Sequence, residues 1–401
     1  MAEFEDKIPR RLVKKLEYSL EQAAIGGMRR NGTYPDNLTI AYSNPALMRA
    51  LLVGWIGHRL NNAEFISFAE DQGNKIYELF TKNGTNTLGE YNAPNYYGID
   101  VFALAANIKY GVAGASMTKN ATPILKALLG DIGDHYNSYL GNMVGPYDRA
   151  YTRDMQVHNA IIQFVWWGLY GYDKAPHPPP SDLDQNYDIS QGAAFALVME
   201  SVAGVLDNQI SKKLTGSFGR ERTLRKVIYS ELDSNNTYRV ATSWLSKYLM
   251  IGGMEQDETE DRGKQFTPAT VHWAGDRKHK PHPYNTFFTL YPTATTLKAV
   301  ASPNKLTISY PNTTQAGANS FQFLLSGIPP PWNLNGNVID GFSTLPCLRA
   351  KVTAPGLEVQ PTVYGSSIYN HYYYNITYVV PSTFPSGDIP TISFDFKYLC
   401  G

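Results

Sequence analysis

The sequence predicts an α+β protein in which a helical region comes first and an antiparallel β region follows. Up to about residue 206, seven segments carry apolar residues at helical spacing, interrupted by Gly, Pro and Asn. From about residue 223 the pattern changes to short alternating runs separated by turn residues, which is typical of antiparallel strands. Because helices and strands segregate along the chain, we expect two domains, 1–206 and 207–401.

The helical segments are predicted to pack against one another on more than one side, because their flanks are rich in apolar residues. They cover residues 11–28, 45–60, 62–81, 97–110, 123–140, 153–170 and 190–206. Ser43 or Asn44 is expected to cap one helix before Pro45, and Thr122 another before Pro123. Gly111 is an expected helix end.

The β region is predicted to contain many short strands. They cover residues 238–244, 285–291, 305–310, 320–325, 351–353, 372–380 and 391–398. The segment 256–280 is charged and carries Gly and Pro, so it is interpreted as a long loop. The apolar stretch 244–253 is interpreted as core, and the proline-rich stretch 172–186 as a stiff spacer.

Charge and motifs exclude several classes of function. The chain has 35 Lys plus Arg and 35 Asp plus Glu, so no nucleic-acid footprint is expected. No apolar run reaches the ~18 residues of a spanning helix, so no membrane association is expected either. The sequence lacks a phosphate-binding loop, a dinucleotide fingerprint, a zinc-protease motif and a nucleophile elbow. His279 and His282 have no Cys or carboxylate at ligand spacing, so we expect neither a metal nor another cofactor.

Localisation is predicted from glycosylation sequons. Seven sequons end in Thr, and their asparagines are Asn31, Asn37, Asn83, Asn120, Asn235, Asn312 and Asn375. This number favours a secreted glycoprotein, although the charged N-terminus has no signal-peptide core and leaves a cytoplasmic location as the alternative. Cys347 and Cys400 could form one disulfide or remain two buried thiols.

Two polar, aromatic loops carry the candidate chemistry. They are EYNAPNYYGID at residues 90–100 and GPYDRAYTRD at residues 145–154, and each leads into a helical pattern. Together they bring Asn, Tyr, Arg and Asp to the ends of neighbouring helices, with His158 about one and a half turns beyond Arg153. These residue types suit proton transfer on a sugar-like substrate.

The helical hairpins, the following strands and these loops resemble polysaccharide lyases of the heparinase II/III-like, alginate-lyase-like and chondroitin-lyase-like architecture. The resemblance implies an incomplete (α/α) toroid followed by an antiparallel β-sandwich-like domain. It also implies β-elimination at a uronic acid, with Asn or Arg neutralising the carboxylate and Tyr or His transferring protons. The catalytic candidates are accordingly Asn92, Arg149, Tyr147 and His158. The candidates for binding a glycan are Asn95, Tyr96, Tyr97, Tyr151, Arg153, His272 and Trp273.

Other interpretations remain open for the same residues. The asparagines flank Pro94 and suit a turn, the aspartates suit helix caps, and Trp273 suits an anchor between the domains. A glycoside hydrolase would instead use two carboxylates from the set Glu90, Asp100, Asp148 and Asp154. A cyclase, dehydratase or isomerase for a small terpenoid-like molecule is a third hypothesis, and a binding protein without turnover is a fourth. The partner is thus a glycan or a small molecule, and the sequence leaves the oligomeric state undetermined.

Overall fold

The computed structural model describes most of the chain. The described residues exclude positions 34, 151–154, 156–159, 177–191, 230–237, 258–265, 278–281 and 369–370. Helices occupy the first half of the described chain and strands occupy the second. This arrangement confirms the predicted α+β fold class.

The helices are mostly long in the first half of the helical region and short near its end. In chain order they are α1 (Arg10–Arg29), α2 (Ser43–Leu60), α3 (Ala63–Thr81), α4 (Pro94–Tyr110), α5 (Ser116–His135), α6 (Ala160–Tyr170), α7 (Gly192–Ala196), α8 (Met199–Val205), α9 (Asn208–Thr215) and α10 (Pro330–Leu334). Short 3-10 turns lie at Glu5–Lys7, Lys82–Gly84 and Tyr172–Lys174.

The helices pack as neighbours around one apolar core. Helix α2 contacts α1, α3 and α4, and α5 contacts α3, α4 and α9. Val101, Leu104, Leu128 and Trp166 are among the buried residues of this core. Helix α9 belongs to it too, because Ile210 and Leu214 pack there. Burial of such side chains stabilises the fold by roughly 1.5–3 kcal/mol each.

Several helix boundaries differ from the predicted ones. Helix α5 begins at Ser116 and carries Pro123 inside it, so Thr122 is not its cap. Ser43 and Asn44 lie inside α2, whose cap is Tyr42. The predicted helix at 190–206 is two short helices in its described part, α7 and α8. Gly111 does end α4, as predicted.

The strands are β1 (Tyr136–Asn137), β2 (Asn142–Met143), β3 (Arg222–Tyr229), β4 (Tyr238–Leu245), β5 (Leu249–Asp257), β6 (Ala269–Ala274), β7 (Asn285–Tyr291), β8 (Thr296–Ser302), β9 (Lys305–Ser309), β10 (Ser320–Ser326), β11 (Leu348–Thr353), β12 (Glu358–Val359), β13 (Val363–Ile368), β14 (His371–Val379) and β15 (Thr391–Tyr398). The segment interpreted as a long loop therefore contains β6 and the end of β5. The prediction failed there because β6 lies within a charged segment and, being buried along its whole length, shows no alternation.

The β domain consists of two antiparallel layers joined by β5. One layer has the order β3-β4-β5-β6-β7-β10-β14, with β12 and β13 both paired to β14. The other has the order β5-β8-β9-β15-β11, since the last residues of β5 pair with β8. The layers pack face to face through aromatic side chains, with Phe288 of β7 5.4 Å from Phe394 of β15 between ring centroids. Cys347 and Cys400 form a disulfide beside the β11–β15 pair.

The outer face of the first layer contacts the helical region. Ser243 of β4 donates to the Gly145 carbonyl at 2.6 Å, and Asn137 donates to the Ser246 carbonyl at 2.8 Å. Residues 144–149 lie between the helices and this face. The described part of the second polar loop, residues 145–150, therefore contacts both the helical region and the sheet.

Candidate functional site

The two polar loops predicted to carry the chemistry pack directly against each other. The Asp148 backbone N–H donates to the Tyr91 carbonyl at 3.1 Å. Asn92 Nδ2 donates to the carbonyls of Val144 and Pro146, both at 2.8 Å. Asn92 adopts a positive φ of 46°, a conformation that Asn tolerates better than most residues. The Asn92 side chain thus ties the second loop to the first.

The second loop is also fixed to the sheet. Tyr147 and Thr267 exchange both backbone hydrogen bonds, at 3.1 and 2.9 Å. Gly252 of β5 lies directly under Gly145, where a Cβ would overlap the Gly145 carbonyl group. This close approach requires glycine at position 252 and lets the loop lie directly on the strand.

The loop places Tyr147 against His272 of β6. Tyr147 Oη lies 3.2 Å from His272 Nε2 and 2.5 Å from the Met143 carbonyl oxygen. His272 Nδ1 lies 3.2 Å from Asn285 Oδ1. When His272 Nδ1–H donates to this oxygen, Nε2 keeps a lone pair that faces the phenol. Asn285 therefore orients the imidazole. The single Tyr147 O–H donates to the Met143 carbonyl, so it has to turn toward Nε2 for a proton to pass between the two side chains.

Burial sets the protonation states of this pair. Both side chains have 0% exposure. Desolvation lowers the pKa of His272 to about 4, opposed by its hydrogen bond to Asn285. Desolvation also raises the pKa of Tyr147 well above its ordinary value. At neutral pH the pair is therefore a neutral imidazole next to a protonated phenol.

Apolar residues surround the pair on the sheet. Phe287 is the cross-strand neighbour of His272, and its ring lies 5.8 Å away between centroids. Leu324 and Tyr373 pack with Phe287 and Tyr147 in one buried cluster. Charges that develop in such a low-dielectric setting interact more strongly with fixed protein groups than they would in water.

A cluster of four buried charges lies beside the pair and joins the two loops to β4. Asp148 forms ion pairs with Arg149 at 3.0 Å and with Arg239. Arg149 Nε lies 3.5 Å from Glu90 Oε1. Both guanidinium groups lie over the Phe266 ring, at 4.7 Å for Arg149 and 5.7 Å for Arg239. The two carboxylates and two guanidinium groups give a formal charge of zero, which fits their burial.

Glu90 is the titratable member of this cluster near neutral pH. Desolvation raises its pKa to about 7, opposed by the charge of Arg149 and reinforced by that of Asp148. Its Oε2 accepts hydrogen bonds from the Ser43 backbone at 3.1 Å and from Asn44 Nδ2 at 3.3 Å. Glu90 therefore connects the first turn of α2 to the second polar loop.

A second tyrosine–histidine pair supports the first loop. Tyr91 Oη lies 2.7 Å from His135 Nε2, and His135 Nδ1 lies 2.8 Å from the Asp131 carbonyl. The Asp131 carboxylate pairs with Lys226 of β3 at 2.8 Å. Burial raises the pKa of Tyr91 well above its ordinary value.

Four residues of these networks were not predicted from the sequence, because nothing in their local sequence marks them. They are His135, Asp131, Arg239 and Asn285. His135 and Asp131 contact each other within α5, but their contacts to Tyr91 and Lys226, like that of Arg239 to Asp148, join elements that are distant along the chain.

The remaining predicted site residues are buried, half-buried or outside the described residues. Tyr97 Oη accepts from the Asn92 backbone at 2.5 Å, and Tyr96 is half-buried. Asn95 is buried, and its Oδ1 has no hydrogen-bond partner within the described chain. Trp273 donates to the Pro346 carbonyl at 2.7 Å and packs in the core between the β layers. Tyr151, Arg153 and His158 lie outside the described residues, as does the hydrolase candidate Asp154.

The described residues offer neither a metal site nor a membrane span. Within the described ranges, no group of three or more His, Cys, Asp or Glu side chains is placed to hold a metal ion. No described helix combines the length and the apolar character needed to cross a bilayer.

Solved structures resemble this chain only distantly, at very low sequence identity. No curated protein matches the chain. Two solved structures to which the chain is similar are a heparinase III gene product with methylated lysines and a heparinase III crystal structure. The first is 10% identical with a TM-score of 0.36, covering 90% of this chain and 59% of that one. The second is 9% identical with a TM-score of 0.39, covering 90% of this chain and 62% of that one. The chain thus spans less than two thirds of either protein.

Family models divide the chain where the secondary structure changes. Residues 1–200 match the model of a domain of unknown function, DUF8769. Residues 220–397 match the model of another domain of unknown function, DUF8770. The helical region and the β domain therefore each match a family model of their own.

Proposed function

We propose that the protein is a carbohydrate-active lyase that cleaves a uronic-acid-containing glycan by β-elimination. The observation that carries this proposal is the 3.2 Å contact between Tyr147 Oη and His272 Nε2. It joins a protonated phenol and a neutral imidazole in a water-poor site, each suited to one of the two proton transfers. Asn92 and Arg149 come from the same pair of loops and supply the polar groups for the carboxylate.

The elimination needs one base and one acid. In the proposed step, His272 Nε2 removes the proton from C5 of the uronate, and the electron pair forms the C4–C5 double bond. The bond from C4 to the glycosidic oxygen breaks, and Tyr147 Oη–H protonates the departing oxygen. The resulting phenolate and imidazolium lie side by side, so a proton returns to Tyr147 across their contact. Such general acid–base catalysis typically contributes ~10²–10⁴-fold in rate.

Neutralisation of the uronate carboxylate is assigned to Asn92 and Arg149. In the present arrangement both donate to protein acceptors, namely two carbonyls for Asn92 and Asp148 for Arg149. The substrate carboxylate would therefore replace some of these acceptors. Because Tyr147, His272 and Asn92 are buried, binding also requires the side chains that cover the pair to move while Tyr147 and His272 stay in contact. A role for His158 as a proton-transfer group, with Tyr151 and Arg153 beside it, stays a prediction.

A glycoside hydrolase is a second candidate, favoured by one observation. The pKa of Glu90 is raised to about 7, and Asp148 lies beside the same Arg149 guanidinium. A carboxyl group with a raised pKa beside a second carboxyl group is the kind of pair that a hydrolase uses. In that case the products would carry new reducing ends and no double bond.

Secretion with N-linked glycans is part of the proposal. Among the sequon asparagines, Asn31, Asn37, Asn83 and Asn312 are exposed, and the Cys347–Cys400 disulfide suits an oxidising compartment. The intact mass of protein from a eukaryotic secretory host, before and after treatment with an N-glycosidase, tests it. Equal masses before and after treatment would contradict glycosylation.

The experiment that tests the lyase is a screen of acidic and neutral glycans, monitored by the ultraviolet absorbance of unsaturated uronates. The variants are Tyr147→Phe and His272→Gln. The matched control is Tyr310→Phe, because Tyr310 is also buried and donates to a carbonyl, Ser320, at 2.8 Å inside the β-sandwich. We expect activity on an acidic glycan, unchanged in the control and reduced ~10²-fold or more in the two site variants.

Two outcomes would contradict the lyase. New reducing ends without the absorbance would indicate hydrolysis. Glu90 and Asp148 would then be the candidate catalytic residues. Full activity of Tyr147→Phe would remove the proposed acid. If no glycan is turned over, the lyase gives way to chemistry on a small terpenoid-like molecule or to binding without turnover.

A further inference from the structure

A basic pocket lies at the junction of the two domains, apart from the tyrosine–histidine pair. Its volume is about 480 Å³, within the ~300–1,000 Å³ range of small-ligand sites. The walls come from the end of α5, strand β1, helix α9, the linker at 216–221 and strand β3. Four cations and one carboxylate line it, namely Lys212, Lys213, Arg220, Arg222 and Asp134.

The charge of this pocket departs from that of the chain. Four cations and one anion give 4 − 1 = +3, whereas the whole chain has 35 residues of each sign. Lys213 pairs with Asp134 at 2.5 Å. Lys212 and Arg220 form no ion pair with any described residue, and both are exposed. Two cations therefore remain available to a ligand at the rim of the pocket.

Arg222 holds the inner wall of the pocket in place. Its guanidinium donates to the carbonyls of Asp134 at 2.7 Å and Tyr136 at 2.5 Å, and lies 5.5 Å over the Phe218 ring. These contacts join β3 to the end of α5 and to β1. An anion bound here would contact both domains, because the cations come from α9, the linker and β3.

The pocket is distinct from the candidate catalytic pair. Arg222, Leu245, Met250 and His272 form one cross-strand row over β3, β4, β5 and β6. Three strand spacings place Arg222 roughly 14 Å from His272. The space between them is filled by a buried apolar cluster that includes Leu245, Met250 and Val144. A ligand in the pocket therefore does not extend into the catalytic pair along this face.

We propose that this junction pocket binds an oxyanion, a sulfate or carboxylate group, with Lys212 and Arg220 as its direct ligands and Arg222 as its inner wall. The group belongs either to an acidic oligosaccharide or to a free inorganic anion. Guanidinium and ammonium groups recognise both through charge-assisted hydrogen bonds. This inference is independent of the proposed elimination.

The test is calorimetric titration with inorganic sulfate and, separately, with a heparin-derived tetrasaccharide, both at low salt. The variant is the double substitution Lys212→Gln and Arg220→Gln, which changes only exposed side chains. The control, Arg11→Gln with Lys14→Gln, removes the same charge from exposed positions of α1. We expect the variant to bind roughly tenfold more weakly than the wild type or the control, as the loss of two charge contacts implies.

The two probes distinguish the sources of the anion. Tighter binding of the tetrasaccharide than of sulfate supports a glycan site, and equal affinity supports a site for a free anion. Titrations repeated with Tyr147→Phe separate the two proposals, because binding there should be unchanged even though turnover is lost. Equal affinity of wild type, variant and control, or no binding of either probe by the wild type, would overturn the inference.

Discussion

At the scale of single residues, the proposed chemistry depends on a histidine that stays neutral. His272 is buried on a central strand, and its charged form would face an apolar cluster and the Tyr147 phenol. A base that is neutral at physiological pH accepts a proton without first having to lose one. The protonation state of His272 is therefore the most sensitive indicator of whether this site is built for proton transfer.

The titration of His272 is accordingly the first prediction. Its folded-state pKa of about 4 lies below the ordinary value of 6.5. The stability contributed by neutral His272 is thus complete above pH ~6.5 and is lost as the pH falls toward 4, by about 3 kcal/mol in total. NMR of ¹⁵N-histidine-labelled protein should show a neutral His272 ring at pH 6, with its single ring N–H on Nδ1.

Comparing the wild type with His272→Gln tests the predicted loss of stability at low pH. As the pH is lowered from 7 to 4, the free energy of unfolding of the wild type should fall relative to that of the variant. Two results would contradict the assigned burial of His272. One is a ring that protonates near pH 6.5, and the other is a difference in the free energy of unfolding that stays constant with pH.

At the scale of elements, strand β5 determines where the second polar loop lies. Its residues pair with β4 and β6 in one layer and with β8 in the other, so the strand bends between layers. Gly252 and Gly253 lie in this bend, and Gly253 also approaches the Ala299 backbone of β8 too closely for a Cβ. The two glycines therefore let β5 cross between the layers and let the second polar loop lie directly against this strand.

Gly252→Ala should destabilise the protein by about 3 kcal/mol, because the added methyl group collides with backbone that cannot yield as a side chain would. Gly26→Ala in α1 is the control, since no atom lies within 4 Å of the position that the new methyl group would take. Alanine should be neutral or stabilising there, by up to ~1 kcal/mol. Urea unfolding measures both, and equal stability of the two variants would refute the close approach.

Glu90 connects α2 to the second loop in a pH-dependent way. Its folded-state pKa of about 7 is raised from 4.5, so its contribution to stability is complete below pH ~4.5 and is lost as the pH rises through 7. From pH 5 to pH 8, the free energy of unfolding of the wild type should fall relative to that of Glu90→Gln by about 2–3 kcal/mol. Urea unfolding at four pH values measures this difference, and a pH-independent difference would count against the assigned pKa.

How far the sequence predicted these strands depended on the residues that flank them. Strands β7 and β15 have the predicted bounds because turn residues flank both, although β7 is buried along almost its whole length and only β15 alternates in burial. Strand β6 was missed, because it is buried along its whole length and also lies within a charged segment. His272 was thereby predicted as a loop residue. Its pairing with Tyr147 joins positions 125 residues apart, and no local pattern reports such a contact.

At the scale of the whole molecule, the candidate site lies where the helical region meets the β region. Tyr147 and Asn92 come from the helical region, and His272, Asn285 and Arg239 come from the β domain. The sequence predicted the helical region, the β region and the two loops, but not which face of the sheet would lie against the loops. The neutral total charge likewise concealed a local basic pocket at the same junction.

The reaction class is tested most directly by whether cleavage adds water. An acidic glycan is digested and the products are weighed by mass spectrometry, with Tyr147→Phe as the inactive reference. Elimination adds no water, so we expect the product masses to sum to that of the substrate, with one unsaturated sugar per cleavage. A sum larger by one water per cleavage, with no unsaturated sugar, would show hydrolysis and contradict the proposed role of Tyr147 and His272.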